Sequence, residues 1–164
     1  MADKKLRKQL RVLGAAKVKY PRRPSKDILE VFNSPSRGNE QNSFFYVRFD
    51  QDAEFTSLCP LTSQPDFANI RIIYVPNHVC VESKSLKLYL FSYRNYGGFG
   101  EKITNRIADD LFDVLSPRWI AVVGEFRPRG GISWTTTAVR VQSPDYLTPL
   151  DVQQIAQISQ RRLT

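Results

Sequence analysis

Residues 83–115, SKSLKLYLFSYRNYGGFGEKITNRIADDLFDVL, decide the fold. Leu86, Leu90 and Tyr93 recur at i, i+4 and i+7, the spacing of one helical face, so a helix is expected from near Ser83. Gly97 and Gly98 break it. A second helix is expected from about Glu101 to Leu115, with Ile103, Ile107, Leu111 and Val114 as its apolar stripe and Asp109, Asp110 and Asp113 mostly outside. Pro117 stops it. Two helices therefore follow one another with no strand between them.

Strands flank this pair on both sides. Phe44–Phe49 is β-rich and is followed by Asp50, Gln51 and Asp52. Glu54–Pro65 contains Cys59-Pro60 and Gln64-Pro65 and reads as an extended or turning loop. Phe67–Val75 is the second strand. Trp119–Phe126 and Ile132–Val141 are two more, joined by the turn composition Arg127-Pro128-Arg129-Gly130-Gly131. The segment from Pro21 to Asn42 suits a surface connection, tacked down by Ile28, Leu29, Val31 and Phe32. The order ββααββ is not an alternating parallel pattern. It predicts an α+β fold: an antiparallel sheet of about four strands with both helices on one face. The edges Phe44–Phe49 and Ile132–Val141 carry few protecting charges, so edge pairing into a ring-like homo-oligomer is expected.

The chain has 164 residues, a length that fits one domain with a real core. Residues 1–26 hold ten basic side chains and one acid, and the remainder holds 14 basic and 15 acidic, so the net +8 belongs to an N-terminal arm. That arm, 1–26, precedes a globular body at 27–142 and a tail at 143–164, whose Val152, Ile155, Ile158 and Leu163 suggest a short docked helix. The arm suits nonspecific phosphate contacts with RNA or anionic lipid, or a solubilising tail, and it lacks interleaved aromatics for base stacking. Two cysteines are too few for a disulfide framework, and one histidine, His78, is too few for a His-rich metal site. No apolar run is long enough to span a membrane and no secretory h-region is present, so a cytoplasmic setting is expected.

Three groups of residues suit chemistry. Cys59 stands in a Pro-bounded loop between two strands, with Asp66 seven residues on. A thiolate there with a carboxyl beside it suits addition to an electrophilic carbon, and the same residues equally suit a structural cysteine with a turn-forming aspartate. Glu82 and Ser83 fall at a helix N-terminus, while Lys84 and Lys87 share a face that, with Arg129, suits phosphates or simply solvent. Glu101 opens the second helix after Gly97-Gly98-Phe99-Gly100, where a carboxylate suits either the helix dipole or a guanine-like edge.

Phe55–Ala68 (FTSLCPLTSQPDFA), Val81–Tyr89 (VESKSLKLY), Tyr93-Arg94-Asn95 with Phe99 and Glu101, and Pro128-Arg129-Gly130-Gly131-Ile132 together resemble the 7-cyano-7-deazaguanine reductases, the nitrile reductases of queuosine tRNA modification, in their single-module form. The resemblance covers roughly residues 43–142. It implies a tunnelling fold (T-fold), in which subunits close their sheets into a barrel. It also implies homo-oligomers, usually two stacked pentameric rings, with sites between subunits. The implied reaction reduces 7-cyano-7-deazaguanine to 7-aminomethyl-7-deazaguanine with two NADPH.

Carried over position by position, the resemblance implies that Cys59 adds to the nitrile to form a thioimidate and that Asp66 donates the proton. It also implies that Glu82, Ser83, Phe99, Gly100 and Glu101 surround the base and that Lys84, Lys87 and Arg129 contact NADPH. No metal is implied. The family's pattern carries a histidine directly before the glutamate that matches Glu101; this chain has Gly100. The alternatives are a related amidinotransferase, which adds ammonia to the same nitrile in tRNA, and a non-catalytic purine- or pterin-binding T-fold protein.

Overall fold

In a computed structural model, residues 20–35 and 45–158 are described. Four long strands form one antiparallel sheet: β2 (Val47–Leu58), β3 (Pro65–Val75), β5 (Trp119–Arg129) and β6 (Ile132–Val141), in the spatial order β2-β3-β5-β6. Between β3 and β5 run α1 (Ser83–Phe91), a 3₁₀ turn (Ser92–Asn95) and α2 (Gly100–Leu115). The expected ββααββ order is the observed one, and the expected outer strands are the two edges. One small sheet was not expected: β1 (Val31–Asn33) pairs antiparallel with β4 (Val79–Val81). It ties the supposed surface connection to the start of α1.

One face of the main sheet carries the helices. Phe55, Ala68, Ile70, Ile72 and Tyr74 meet Leu86, Leu90, Tyr93, Ile103, Ile107 and Leu111 in a single core. Burying each large apolar side chain contributes about 2 kcal/mol, so this interface dominates the fold. Leu115 is buried in the stripe where Val114 was expected, and Val114 packs at its margin. The other face is covered near one end by α3 (Pro149–Ile158), the helix expected in the tail, through Ile155 and Ile158. Leu163, expected to extend that pattern, lies outside the described residues, as do Phe44 and residues 1–19 of the basic arm.

Two boundaries differ from expectation for physical reasons. The first strand does not stop at Phe49. Asp50 bonds Arg48 at 2.6 Å and Arg71 at 2.7 Å, so its charge is paired and the strand continues. A bulge between Gln51 and Phe55, with Ala53 at φ 59°, shifts the alternation that periodicity relies on. The strand then runs to Leu58, through residues expected to be loop. Likewise β5 continues through Arg127 and Pro128 to Arg129. Only Gly130 and Gly131, at φ 61° and 82°, make the turn.

Candidate active site

Leu58 and Pro65 close the β2–β3 pair, and Cys59–Gln64 is the turn between them. The Cys59 N–H donates to the Gln64 carbonyl (2.8 Å), and the Ser63 N–H donates to the Cys59 carbonyl (3.0 Å). Ser63 sits at φ 56°, a left-handed conformation that an L residue adopts at a cost. The turn covers Cys59 to 5% exposure and aims a ring of donors at its sulfur. The Thr62 hydroxyl contributes most, then the Thr62 and Leu61 amides, then the Arg129 guanidinium. Together they hold the thiol at about 6 instead of 9.0. At neutral pH the sulfur is a thiolate, the form that acts as a nucleophile.

Asp66 faces Ser57 across the strand pair and is buried. Arg129, from the end of β5, donates from Nη1 to its Oδ1 at 2.8 Å. The same guanidinium lies close enough to the Cys59 sulfur to act on it, and both neighbours hold Arg129 more firmly protonated than usual. One arginine therefore stands between the Cys59 sulfur and the Asp66 carboxylate. The sequence pointed to Arg129 as a phosphate contact, and Thr62 was missed. The signal for Thr62 is in the Cys-Pro-Leu-Thr spacing. The Thr62 hydroxyl accepts from the Gln64 amide at 3.5 Å, two residues on as in an ST turn, and the turn that this closes brings Thr62 back beside Cys59.

Phe99, Gly100 and Glu101 lie at this same end. Leu58 forms a bridge with Gly97: its N–H donates to the Tyr96 carbonyl and its carbonyl accepts from Gly98, each at 3.0 Å. Buried Tyr89 and Tyr93 bond each other at 2.8 Å, and Tyr89 bonds Asp110 at 2.7 Å. Tyr93 packs edge-on against Tyr96, which holds that loop in place. Phe99 is exposed, and Glu101 stands exposed in the first turn of α2. Gly100 is buried against Phe126, where a Cβ would come within 2.7 Å of ring carbons. Phe126 is stacked on Trp134, with ring centroids 4.9 Å apart.

Glu82 and Ser83 lie elsewhere in the chain. Glu82 caps α1, its two oxygens accepting from the Lys84 and Ser85 amides at 2.8 Å. The Val81 N–H before it donates to the Tyr74 hydroxyl at 3.1 Å. Tyr74 is eight residues along β3 from Asp66, about 27 Å at strand rise. One chain therefore holds Cys59, Asp66 and Arg129 at one end of the sheet, with Glu82 and Lys84 toward the other and Ser83 beside a cavity walled by Ile70 and Ile72. Lys87 points into a groove between α1 and β2. That groove includes a cavity of about 380 Å³ lined by Lys87 and Arg94, and a smaller one of about 170 Å³ lined by Ser83 and Lys87. Both are walled by Gln51, whose Oε1 is buried without a hydrogen-bond partner. Cations, aromatic rings and an orphan acceptor fit a phosphorylated nucleotide. His78 is exposed beside β4 and Cys80 is a buried free thiol.

Residues 65–145 match the family model described as QueF-like protein. The NADPH-dependent 7-cyano-7-deazaguanine reductase of Streptococcus thermophilus is 48% identical over 133 residues, which cover 81% of this chain and 78% of that protein. The enzyme of the same name from Anaeromyxobacter sp. (strain K) is 52% identical over 124 residues, 76% of this chain and 97% of the relative. The Bacillus cereus enzyme is 52% identical over 126 residues, 77% and 73%. Among solved structures, the apo archaeosine synthase QueF-Like superposes with a TM-score of 0.56 at 18% identity, over 62% of this chain and 98% of that one. That likeness shows the shared tunnelling fold. With half of the aligned residues identical over most of both partners, the chain belongs to the family of NADPH-dependent 7-cyano-7-deazaguanine reductases.

Proposed function

We propose that this chain reduces the nitrile of 7-cyano-7-deazaguanine to the primary amine, with Cys59 as nucleophile and NADPH as reductant. The observation that carries the reading is the tight turn that buries Cys59 beside an arginine held at 2.8 Å on the Asp66 carboxylate, a setting that lowers the thiol to about 6. A nitrile is a poor hydride acceptor. The Cys59 thiolate adds to the nitrile carbon, one C≡N π bond breaks, and the nitrogen takes a proton through Asp66. The product is a thioimidate on Cys59, a C=N that accepts hydride. Bound NADPH supplies the hydrides, two in all. After the first, the C–S bond breaks and the Cys59 thiolate leaves. One further proton reaches the nitrogen with the first hydride, the departing thiolate leaves an iminium, and the second hydride converts it to the amine, so two hydrides and two protons are taken up in all. Arg129 keeps sulfur and carboxylate in register through these steps.

Glu82 and Ser83 recognise the base. The Glu82 carboxylate accepts the Lys84 and Ser85 amides and, at 3.3 Å, the Ser83 hydroxyl, which leaves one of its four lone-pair sites for an N–H of a guanine-like edge until the Ser83 hydroxyl turns to the base. Glu101 and Phe99 supply a second edge and a ring face, with Gly100 leaving the pocket floor to Phe126. Lys84 and Lys87 hold phosphate. The wide separation of Glu82 from Cys59 supports a site completed between subunits. The open edges β2 and β6 pair in a homo-oligomer, for which two stacked pentameric rings are the family's usual form. The experiment is intact-mass analysis after mixing protein with the nitrile in the absence of NADPH. An added mass equal to one nitrile, absent from Cys59→Ala, is expected. An adduct that survives Cys59→Ala overturns the assignment.

A further inference from the structure

The larger cavity beside α1 is left without an occupant by Cys59 chemistry and by base recognition. We infer that it receives the adenosine end of the reductant and that Arg94 reads its 2′-phosphate. This inference rests on the reductase reading.

Four observations converge on it. First, the cavity measures about 380 Å³ and opens beside Lys87, so it begins where a phosphate contact was expected. Second, Arg94 lines it with its guanidinium 4.2 Å from the centre of the Phe91 ring. Stacking on one face leaves the N–H edges free, and among the described residues no carboxylate pairs with them. A guanidinium fixed in this way is arranged for a dianion. Third, Tyr20 packs on the same Phe91 with centroids 4.6 Å apart and is 54% exposed, which gives the cavity an aromatic wall for a purine. Fourth, Gln51 Oε1 is buried without a partner in the cavity wall. An acceptor in that state lacks a donor, and the exocyclic amino group of adenine is one.

The remaining charged side chain, Glu54, suits ribose hydroxyls and disfavours a further phosphate at its position. The smaller cavity shares Gln51, Glu54 and Lys87 and reaches Ser83. Ser83 and Arg94 are separated by about 18 Å along the helix and 3₁₀ turn, more than a single base needs and comparable to an extended dinucleotide. Lys87 stands between them, where the diphosphate falls.

The test is calorimetric titration of the full chain with adenosine 2′,5′-bisphosphate and with adenosine 5′-monophosphate. Wild-type protein is expected to prefer the 2′-phosphorylated ligand at least about tenfold, the worth of one charged hydrogen-bonded contact. Arg94→Ala is expected to bind both about equally, with Arg94→Lys between. Tyr20→Ala is expected to weaken both alike. A preference that survives Arg94→Ala overturns the inference, and so does a wild-type protein that binds neither ligand. Adduct formation with the nitrile, run on the same samples without reductant, reports separately on the reductase reading. Loss of the adduct with an Arg94-dependent preference intact sinks that reading and leaves the subsite standing.

Discussion

Thr62→Val removes one exposed hydroxyl, and with it a long 3.5 Å bond from the Gln64 amide, while keeping the side chain's shape. The thiol of Cys59 is lowered from 9.0 to about 6, with the Thr62 hydroxyl as the largest of four donors. Shared over four donors, the hydroxyl accounts for about one pH unit, so the variant thiol falls near 7. At pH 6 the thiolate fraction drops from about one half to about one tenth. At pH 9 both proteins are fully ionised, and the variant's more basic sulfur attacks at least as fast. The assay is the pH dependence of alkylation of the Cys59 peptide by iodoacetamide, read by mass spectrometry so that buried Cys80 does not contribute. The midpoint is expected to rise by about one unit, with the alkaline plateau kept. A variant midpoint that stays near 6, or a wild-type midpoint near 9, refutes the donor-ring account.

Gly100→Ala sets a methyl within 2.7 Å of the Phe126 ring, which Trp134 backs, so overpacking should cost about 1–3 kcal/mol and lower Tm by several degrees. Adding Trp134→Ala lets the ring retreat and should return part of the loss; an unchanged Tm for the single variant contradicts the contact. Asp151 is fully buried, and burial raises its carboxyl, but the Trp119 indole, the Thr148 amide and hydroxyl and Arg118 outweigh that and hold it below 3.8. Its contribution is therefore complete above pH 4 and drains as pH falls toward the lowered value. Asp151→Asn should lose about 2 kcal/mol at pH 7 and show a shallower acid limb in denaturant titrations, and parallel curves for the two proteins would count against this. Mixing unfolded Cys59→Ala and Glu82→Gln chains and refolding them together should restore up to about a quarter of the wild-type activity, because one kind of interface carries both intact residues. No recovery in co-assembled protein would place the whole site in one chain.

The fold was legible where burial imposes one period. Ile103, Ile107 and Leu111 mark α2 because the core lies on one side of that helix only. It was less legible in β2, where the bulge at Gln51–Phe55 resets the alternation and an ion pair keeps Asp50 within a strand. The small sheet was hidden because Val31–Asn33 is only three residues long, and its pairing with Val79–Val81 is a long-range contact. At the candidate site, Cys59 and Asp66 could be paired from sequence because the loop between two strands returns to its start. Arg129 was named by type, but its place between them depends on how far β5 extends past Pro128. Thr62 was overlooked because threonine in a polar turn is common and its hydroxyl gains meaning only from the sulfur beside it. The distance between Glu82 and Cys59 is a property of the sheet's length, and no local pattern encodes it.

The most direct test of the central claim is the stoichiometry of a single reaction. Purified protein is given a limiting amount of 7-cyano-7-deazaguanine with excess NADPH, the loss of NADPH absorbance is followed to completion, and the product is weighed by mass spectrometry. The account predicts two NADPH oxidised per nitrile, the aminomethyl product, and no oxidation with Cys59→Ala. A nitrile that is bound to Cys59 while NADPH stays unoxidised would contradict it.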